Sequence, residues 1–129
     1  DERESGLRAV LNFGHTVGHA IEAATAFRRF SHGEAVALGL HAALRLSREL
    51  AGLPEADERM GHELLDGLGL PGRLTKARAR DVCDLIGRDK KAGQDGVPYV
   101  LLRRPGFPVL GVRVPPELEL EVVEWLRER

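Results

Sequence analysis

The sequence predicts a mainly α-helical domain with a short β-hairpin-like excursion near its C-terminal end. Three observations carry this reading. Leucines and alanines recur at spacings of three and four through most of the chain. Glycine–proline punctuation at Gly52-Leu-Pro54 and Gly69-Leu-Pro71-Gly72 cuts the periodic stretches into helix-sized pieces. Two short apolar runs then break the helical period before a last amphipathic stretch.

Element by element, the pattern predicts a first helix from about Glu4 to Ala24 and a loop over 25–31. A second helix is expected from Gly33 to Ala51, with Ser31 and Glu34 at capping-box spacing and His32 at the first helical position. A shorter helix follows from Glu55 to Leu68, and Thr75 is the expected N-cap of a fourth from Lys76 to Ile86. Asp89 to Gly96 reads as a polar turn. Strands are expected around Tyr99–Leu102 and Val109–Val114, split by Arg104-Pro-Gly-Phe-Pro108. Pro115-Pro116 opens a terminal helix from Glu117 to about Leu126.

At 129 residues, 43% hydrophobic and 30% charged, the chain suits one globular domain with its own core. No apolar run approaches the roughly 18 residues that span a bilayer, and the charged start, Asp1-Glu-Arg-Glu4, predicts no secretory signal. A formal net charge of −1 offers no footprint for nucleic acid. The basic stretch from Arg73 to Arg80 reads as a solvated helix face. The lone cysteine, Cys83, is expected to be a buried structural thiol, and it favours a reducing cytoplasm.

The informative feature is a polar arc. On a wheel of 100° per residue with Glu4 at zero, Arg8, Asn12, His15, His19 and Glu22 all fall within about 80°. The remaining directions are largely apolar, so the polar stripe should face a cleft or another domain. Gly14 and Gly18, beside the histidines, suggest close approach of a neighbouring helix or a ligand. The bland alternative is a narrow solvated stripe with adventitious pairs.

His15 and His19 stand one turn apart, and His32 adds a third imidazole after a loop that can return it toward the first. The zinc-protease pattern would need glutamate at position 16, where this chain has Thr16. Glu22 and Glu34 are near enough in sequence to offer an oxygen ligand or to hold an imidazole in one tautomer. Spacing does not decide which two of the three histidines bind metal, and a hydrogen-bonded histidine cluster in a substrate pocket is the competing reading. His41 and His62, with no such pattern, read as structural or surface residues.

The segments Asp1-Glu-Arg-Glu-Ser-Gly-Leu-Arg8, Leu11-Asn-Phe-Gly-His-Thr-Val-Gly-His-Ala-Ile-Glu22, His32-Gly-Glu-Ala-Val-Ala-Leu-Gly39 and Asp89-Lys-Lys91 together resemble the 3-dehydroquinate synthases of the shikimate pathway. The resemblance covers essentially the whole chain. It implies that residues 1–129 are the helical C-terminal domain of a two-domain enzyme, and that an N-terminal α/β domain carrying most of the NAD site is missing. It implies a divalent ion, Zn2+ or Co2+, held by His15, His32 and a glutamate of that other domain. His19 would lie against the substrate phosphate, and Glu4, Arg8 and Asn12 would line the same pocket, with Lys90 or Lys91 giving a cationic contact. The implied partners are a sugar-phosphate substrate, the N-terminal domain and, in the complete enzyme, a second copy of the chain.

The reaction so implied is a lyase-type cyclisation of 3-deoxy-D-arabino-heptulosonate 7-phosphate to 3-dehydroquinate and phosphate, serving aromatic amino acid and chorismate biosynthesis, with NAD reduced and reoxidised in each turnover. The fragment alone should be inactive. Rival readings are a related sugar phosphate cyclase, an alcohol dehydrogenase sharing the broad fold, and a helical metal-binding or interaction module without catalysis.

Overall fold

The computed structural model describes residues 14–90 and 97–129. Along them run α1 (His15–Ala24), α2 (His32–Leu50), α3 (Glu55–Gly67), α4 (Ala79–Lys90), β1 (Val97–Arg104), β2 (Phe107–Val114) and α5 (Pro116–Glu128). The domain is mainly helical with one antiparallel hairpin, as the sequence patterning predicts. Among the described residues no helix is long and apolar enough to cross a membrane.

The long helix α2 is the spine, with α1, α3, α5 and β1 packed around it. Its start is fixed by the expected capping box. The Glu34 amide donates to Ser31 Oγ at 3.2 Å, and the Ser31 amide donates to Glu34 Oε1 at 2.8 Å. Such a cap satisfies two otherwise orphaned amides and contributes on the order of 1 kcal/mol. The main core joins Val17 and Ile21 of α1, Leu38, Ala42 and Leu46 of α2, Val82 and Ile86 of α4, Leu101 of β1, and Val122 and Leu126 of α5. Full burial of each large aliphatic side chain is worth roughly 1.5–3 kcal/mol. Ser47 ties the hairpin to the spine by accepting from the Leu102 amide at 2.9 Å.

The crossing of α1 and α2 is a backbone contact. A Cβ on Gly39 would overlap the Gly14 carbonyl oxygen and stand 2.7 Å from the Gly18 amide nitrogen, and one on Gly18 would stand 2.9 Å from the Ala35 carbonyl oxygen. Gly14 and Gly18 therefore serve the close approach of a neighbouring helix, and Gly39 is the partner on the other side.

Several boundaries differ from expectation. Gly14 has φ 83 and N-caps α1, with its carbonyl accepting from the Gly18 amide. A left-handed residue interrupts a right-handed helix, so no single continuous helix runs from Glu4 to Ala24. Likewise Lys76 is left-handed at φ 64, so the fourth helix does not begin there; it begins at Ala79, with the Arg78 carbonyl accepting from the Asp81 and Val82 amides. It runs on to Lys90, so Asp89 and Lys90 are helical instead of part of a turn. The strands are longer than read because the connection is only Pro105-Gly106, with Gly106 at φ 81. Pro108 sits inside the ladder opposite Leu102, beside a register shift, which is where a strand tolerates a residue lacking an N–H.

Candidate functional site

The face carried by α1 and the start of α2 follows from the packing just described. Burying Val17, Ala20 and Ile21 against the core turns His15 and His19 outward and leaves Glu22 at the half-buried margin. The loop between the helices closes sharply, with Ala26 and Phe27 both left-handed (φ 55 and 58) and the Phe27 amide donating to the Glu22 carbonyl. The capped start of α2 then sets His32 against α1. The His15 and His32 rings meet edge to face, their centroids 5.9 Å apart at an interplanar angle of 73°. His32 Nδ1 lies 2.7 Å from Glu22 Oε1.

Of the residues singled out from the sequence, the fold therefore brings together His15, His32 and Glu22, with His19 one turn along the same exposed face. Glu34 is engaged in the capping box. Glu4, Arg8, Asn12 and Lys91 lie outside the described residues, and Lys90 is the last residue of α4. Because Gly14 interrupts the helix, the wheel relates His15, His19 and Glu22 to one another but not to the three residues before them.

The donor set fits a borderline divalent ion. Imidazole nitrogens suit zinc and cobalt, and metal–nitrogen bonds of about 2 Å bring two ligating rings to centroid separations of roughly 5–6 Å. Among the described residues no group of three or more His, Cys, Asp or Glu side chains is placed to hold a metal.

A second polar cluster, with little signature in the residue pattern, lies on the opposite flank of α2. His41 is fully buried and His62 nearly so, and their Nδ1 atoms stand 2.7 Å apart with the rings stacked at 4.9 Å. His62 Nε2 lies 2.7 Å from Glu58 Oε2, so His62 donates its Nε2–H to the carboxylate. His62 Nδ1 is then an acceptor, and His41 must donate its Nδ1 proton to it. That leaves His41 Nε2 to accept from Arg129, at 3.4 Å. Glu58 also accepts from Arg45 Nε at 2.7 Å, while Arg48 Nε lies 2.9 Å from its other oxygen without the alignment of a hydrogen bond.

Burial and the Arg129 charge push His41 down to about 4, and burial lowers His62 as well against the pull of Glu58. Burial pushes the Glu58 carboxyl up, but its bonds to Arg45 and His62 outweigh that and hold it below the usual carboxylate range. This cluster is a closed network that locks α2, α3 and the chain's last residue together. Of the structural or surface places read for His41 and His62, both take a buried one, as partners of each other. A pairing 21 residues apart leaves no local spacing to find. Cys83 is half-buried, and burial together with Glu119 pushes its thiol up to about 12, in line with a structural role.

The model of the family described as 3-dehydroquinate synthase C-terminal matches residues 1–92. The chain is 47% identical to a 3-dehydroquinate synthase of Acidithiobacillus ferrooxidans over 99% of its length and 35% of that protein's. It is 44% identical to one of Aeropyrum pernix over 91% of this chain and 32% of that one. The chain thus spans about a third of the length of the curated relatives it matches. A crystal structure of 2-deoxy-scyllo-inosose synthase complexed with carbaglucose-6-phosphate, NAD+ and Co2+ superposes with a TM-score of 0.74 at 28% identity, covering 91% of this chain and 32% of that one. A matching helical core and a family match over most of the chain agree: this chain belongs to the 3-dehydroquinate synthase C-terminal family.

Proposed function

We propose that residues 1–129 form the C-terminal domain of a 3-dehydroquinate synthase, one wall of a site closed by an N-terminal NAD-binding domain. The substrate is 3-deoxy-D-arabino-heptulosonate 7-phosphate, and the products are 3-dehydroquinate and phosphate. The observation that carries this reading is the identity to 3-dehydroquinate synthases along nearly the whole chain. The edge-to-face pair of His15 and His32 on the open face supports it.

When bound, the divalent ion supplies Lewis acidity at the reacting oxygen, and NAD a reversible hydride acceptor. His15 and His32 hold the ion, and a glutamate of the N-terminal domain completes the protein ligands. Arg8 clamps a carboxylate or phosphate with its planar fork, and Lys90 or Lys91 adds a point charge. Asn12 donates to an anion without adding charge, and Glu4 accepts from a sugar hydroxyl. His19 moves a proton beside the departing phosphate. The complete enzyme is a homodimer of the cytoplasm, where a free thiol such as Cys83 stays reduced.

A second reading, a cyclase acting on another sugar phosphate, is favoured by the likeness to the inosose synthase. Phosphate release by the full-length protein, with NAD and Co2+, separates the two. Release from the heptulosonate phosphate and not from glucose 6-phosphate is expected, and the reverse preference overturns the first reading. The isolated 129-residue chain is expected to release none, because differential transition-state binding needs both walls. Turnover by it near the full-length rate refutes the two-wall reading.

A further inference from the structure

We propose that Glu22 is a positioning residue: its carboxylate fixes the tautomer and orientation of His32, so that Nε2 is the atom presented to the ion. The inference rests on the reading of His32 as a metal ligand and goes beyond it, because it names which ring nitrogen binds and what selects it.

A neutral imidazole carries one proton and one lone pair, and the hydrogen bond made by one nitrogen decides the role of the other. His32 Nδ1 is 2.7 Å from Glu22 Oε1. An ionised carboxylate only accepts, so the proton must be on Nδ1 and the lone pair on Nε2. The two partners differ in their surroundings. The Glu22 side chain is 13% exposed, while that of His32 is 71% exposed. A half-sheltered carboxylate anchored in α1 thus grips an imidazole that little else restrains. Without it the ring would sample both tautomers and rotate about its side-chain bonds, at a cost to any ligand role.

The backbone holds Glu22 in place. It lies in the last turn of α1, where its carbonyl accepts from the Phe27 amide that closes the loop and from the Thr25 hydroxyl. The same loop delivers His32. The carboxylate and the ring it orients are therefore set by one local structure, seven residues beyond the His15 that faces the same ring. A carboxylate hydrogen-bonded to a ligating imidazole raises the ring's basicity, and loss of such a partner commonly weakens metal binding by about 10- to 100-fold.

The experiment uses the full-length protein and its Glu22→Ala, Glu22→Gln and His32→Ala variants. The metal-free state of each is examined by long-range proton–nitrogen-15 spectra of the histidine rings, and Co2+ affinity is measured by competition with a chelator. The wild type is expected to show His32 protonated at Nδ1. Glu22→Ala should mix the tautomers and weaken Co2+ binding by about 10- to 100-fold. Glu22→Gln, whose amide oxygen still accepts the Nδ1 proton, should restore the tautomer and part of the affinity. A role confined to tying α1 to α2 would change neither tautomer nor affinity once the variant is folded. Should Glu22→Ala fail to fold, the wild-type tautomer and the Glu22→Gln affinity decide. A His32 proton on Nε2 in the wild type, or Co2+ affinity in the folded Glu22→Ala variant within about twofold of wild type, overturns the proposal. If His32→Ala itself leaves Co2+ binding unchanged, the ligand reading fails instead, whatever Glu22 does.

Discussion

The five histidines fall into two sets that share helix α2 yet live in opposite surroundings. His15, His19 and His32 stand exposed on the α1 and α2 face, with His32 bonded to one carboxylate. On the other flank of α2, His41 and His62 are buried with each of their ring nitrogens matched to a neighbour. The difference teaches what distinguishes a site from a brace. In the buried set the ring nitrogens are matched within the domain, which leaves neither imidazole a lone pair for a ligand. In the exposed set the rings stand at the surface, outside the core.

Removing Glu58 should break the buried set most severely. It sits among Arg45, Arg48 and His62 with a side chain only 4% exposed. Glu58→Ala leaves those donors facing an empty place, and denaturant unfolding should show a loss of about 3–5 kcal/mol. A loss below about 1 kcal/mol would mean that the network contributes little.

Acid should separate the sets next. The unfolded-state value for histidine is about 6.5 and the folded His41 sits at about 4, so the unfolded chain binds more protons between those limits. The stabilisation is therefore present in full above pH 6.5 and is lost as pH falls toward 4. The size is about 3 kcal/mol for a group this deeply buried. Unfolding followed across that window checks it, and His41→Gln should flatten the slope.

In the exposed set, His15→Ala and His32→Ala in the full-length protein are each expected to weaken Co2+ binding on the order of 100-fold, about 2.7 kcal/mol. Their stability without metal should barely change. Metal content after dialysis against a weak chelator reads this out. If His19→Ala sheds its metal and His32→Ala keeps it, the ligands are instead His15 and His19. The smallest effect belongs to His19→Ala, which should retain metal and stay within about 0.5 kcal/mol of wild-type stability, as exposed substitutions usually do.

Much of this architecture was legible because it is local. The Ser31–Glu34 capping box and the breaks at Gly52 and Gly69 are written in adjacent residues, and the structure has them as read. The interruption at Gly14 and the late start of the fourth helix are not legible, because a left-handed Gly14 or Lys76 has no periodic signature. A wheel drawn through Gly14 cannot register the break. The hairpin was underestimated because Pro108 looked like a stop, whereas a bulge accommodates it. The convergence of His15, His32 and Glu22 was half legible: the residue types and the return loop were visible, but not the pair of left-handed residues that closes it. The His41–His62 contact was out of reach, since only tertiary packing of α3 on α2 creates it.

The close backbone approach at Gly14, Gly18 and Gly39, with the Leu40 side chain packed beside Gly14, makes the crossing of α1 and α2 a pivot. His15 sits at that pivot, next to Gly14. His32 is seven residues from Gly39, out on a lever arm of about 10 Å at the rise of an α-helix. Tilting one helix by about 5° would sweep His32 through roughly 1 Å while His15 scarcely moved. The gap between the two rings is therefore a readout of the helix crossing angle, amplified along α2. A methyl group wedged in at Gly39, against the Gly14 carbonyl, would be felt at the mouth of the site as a misplaced imidazole.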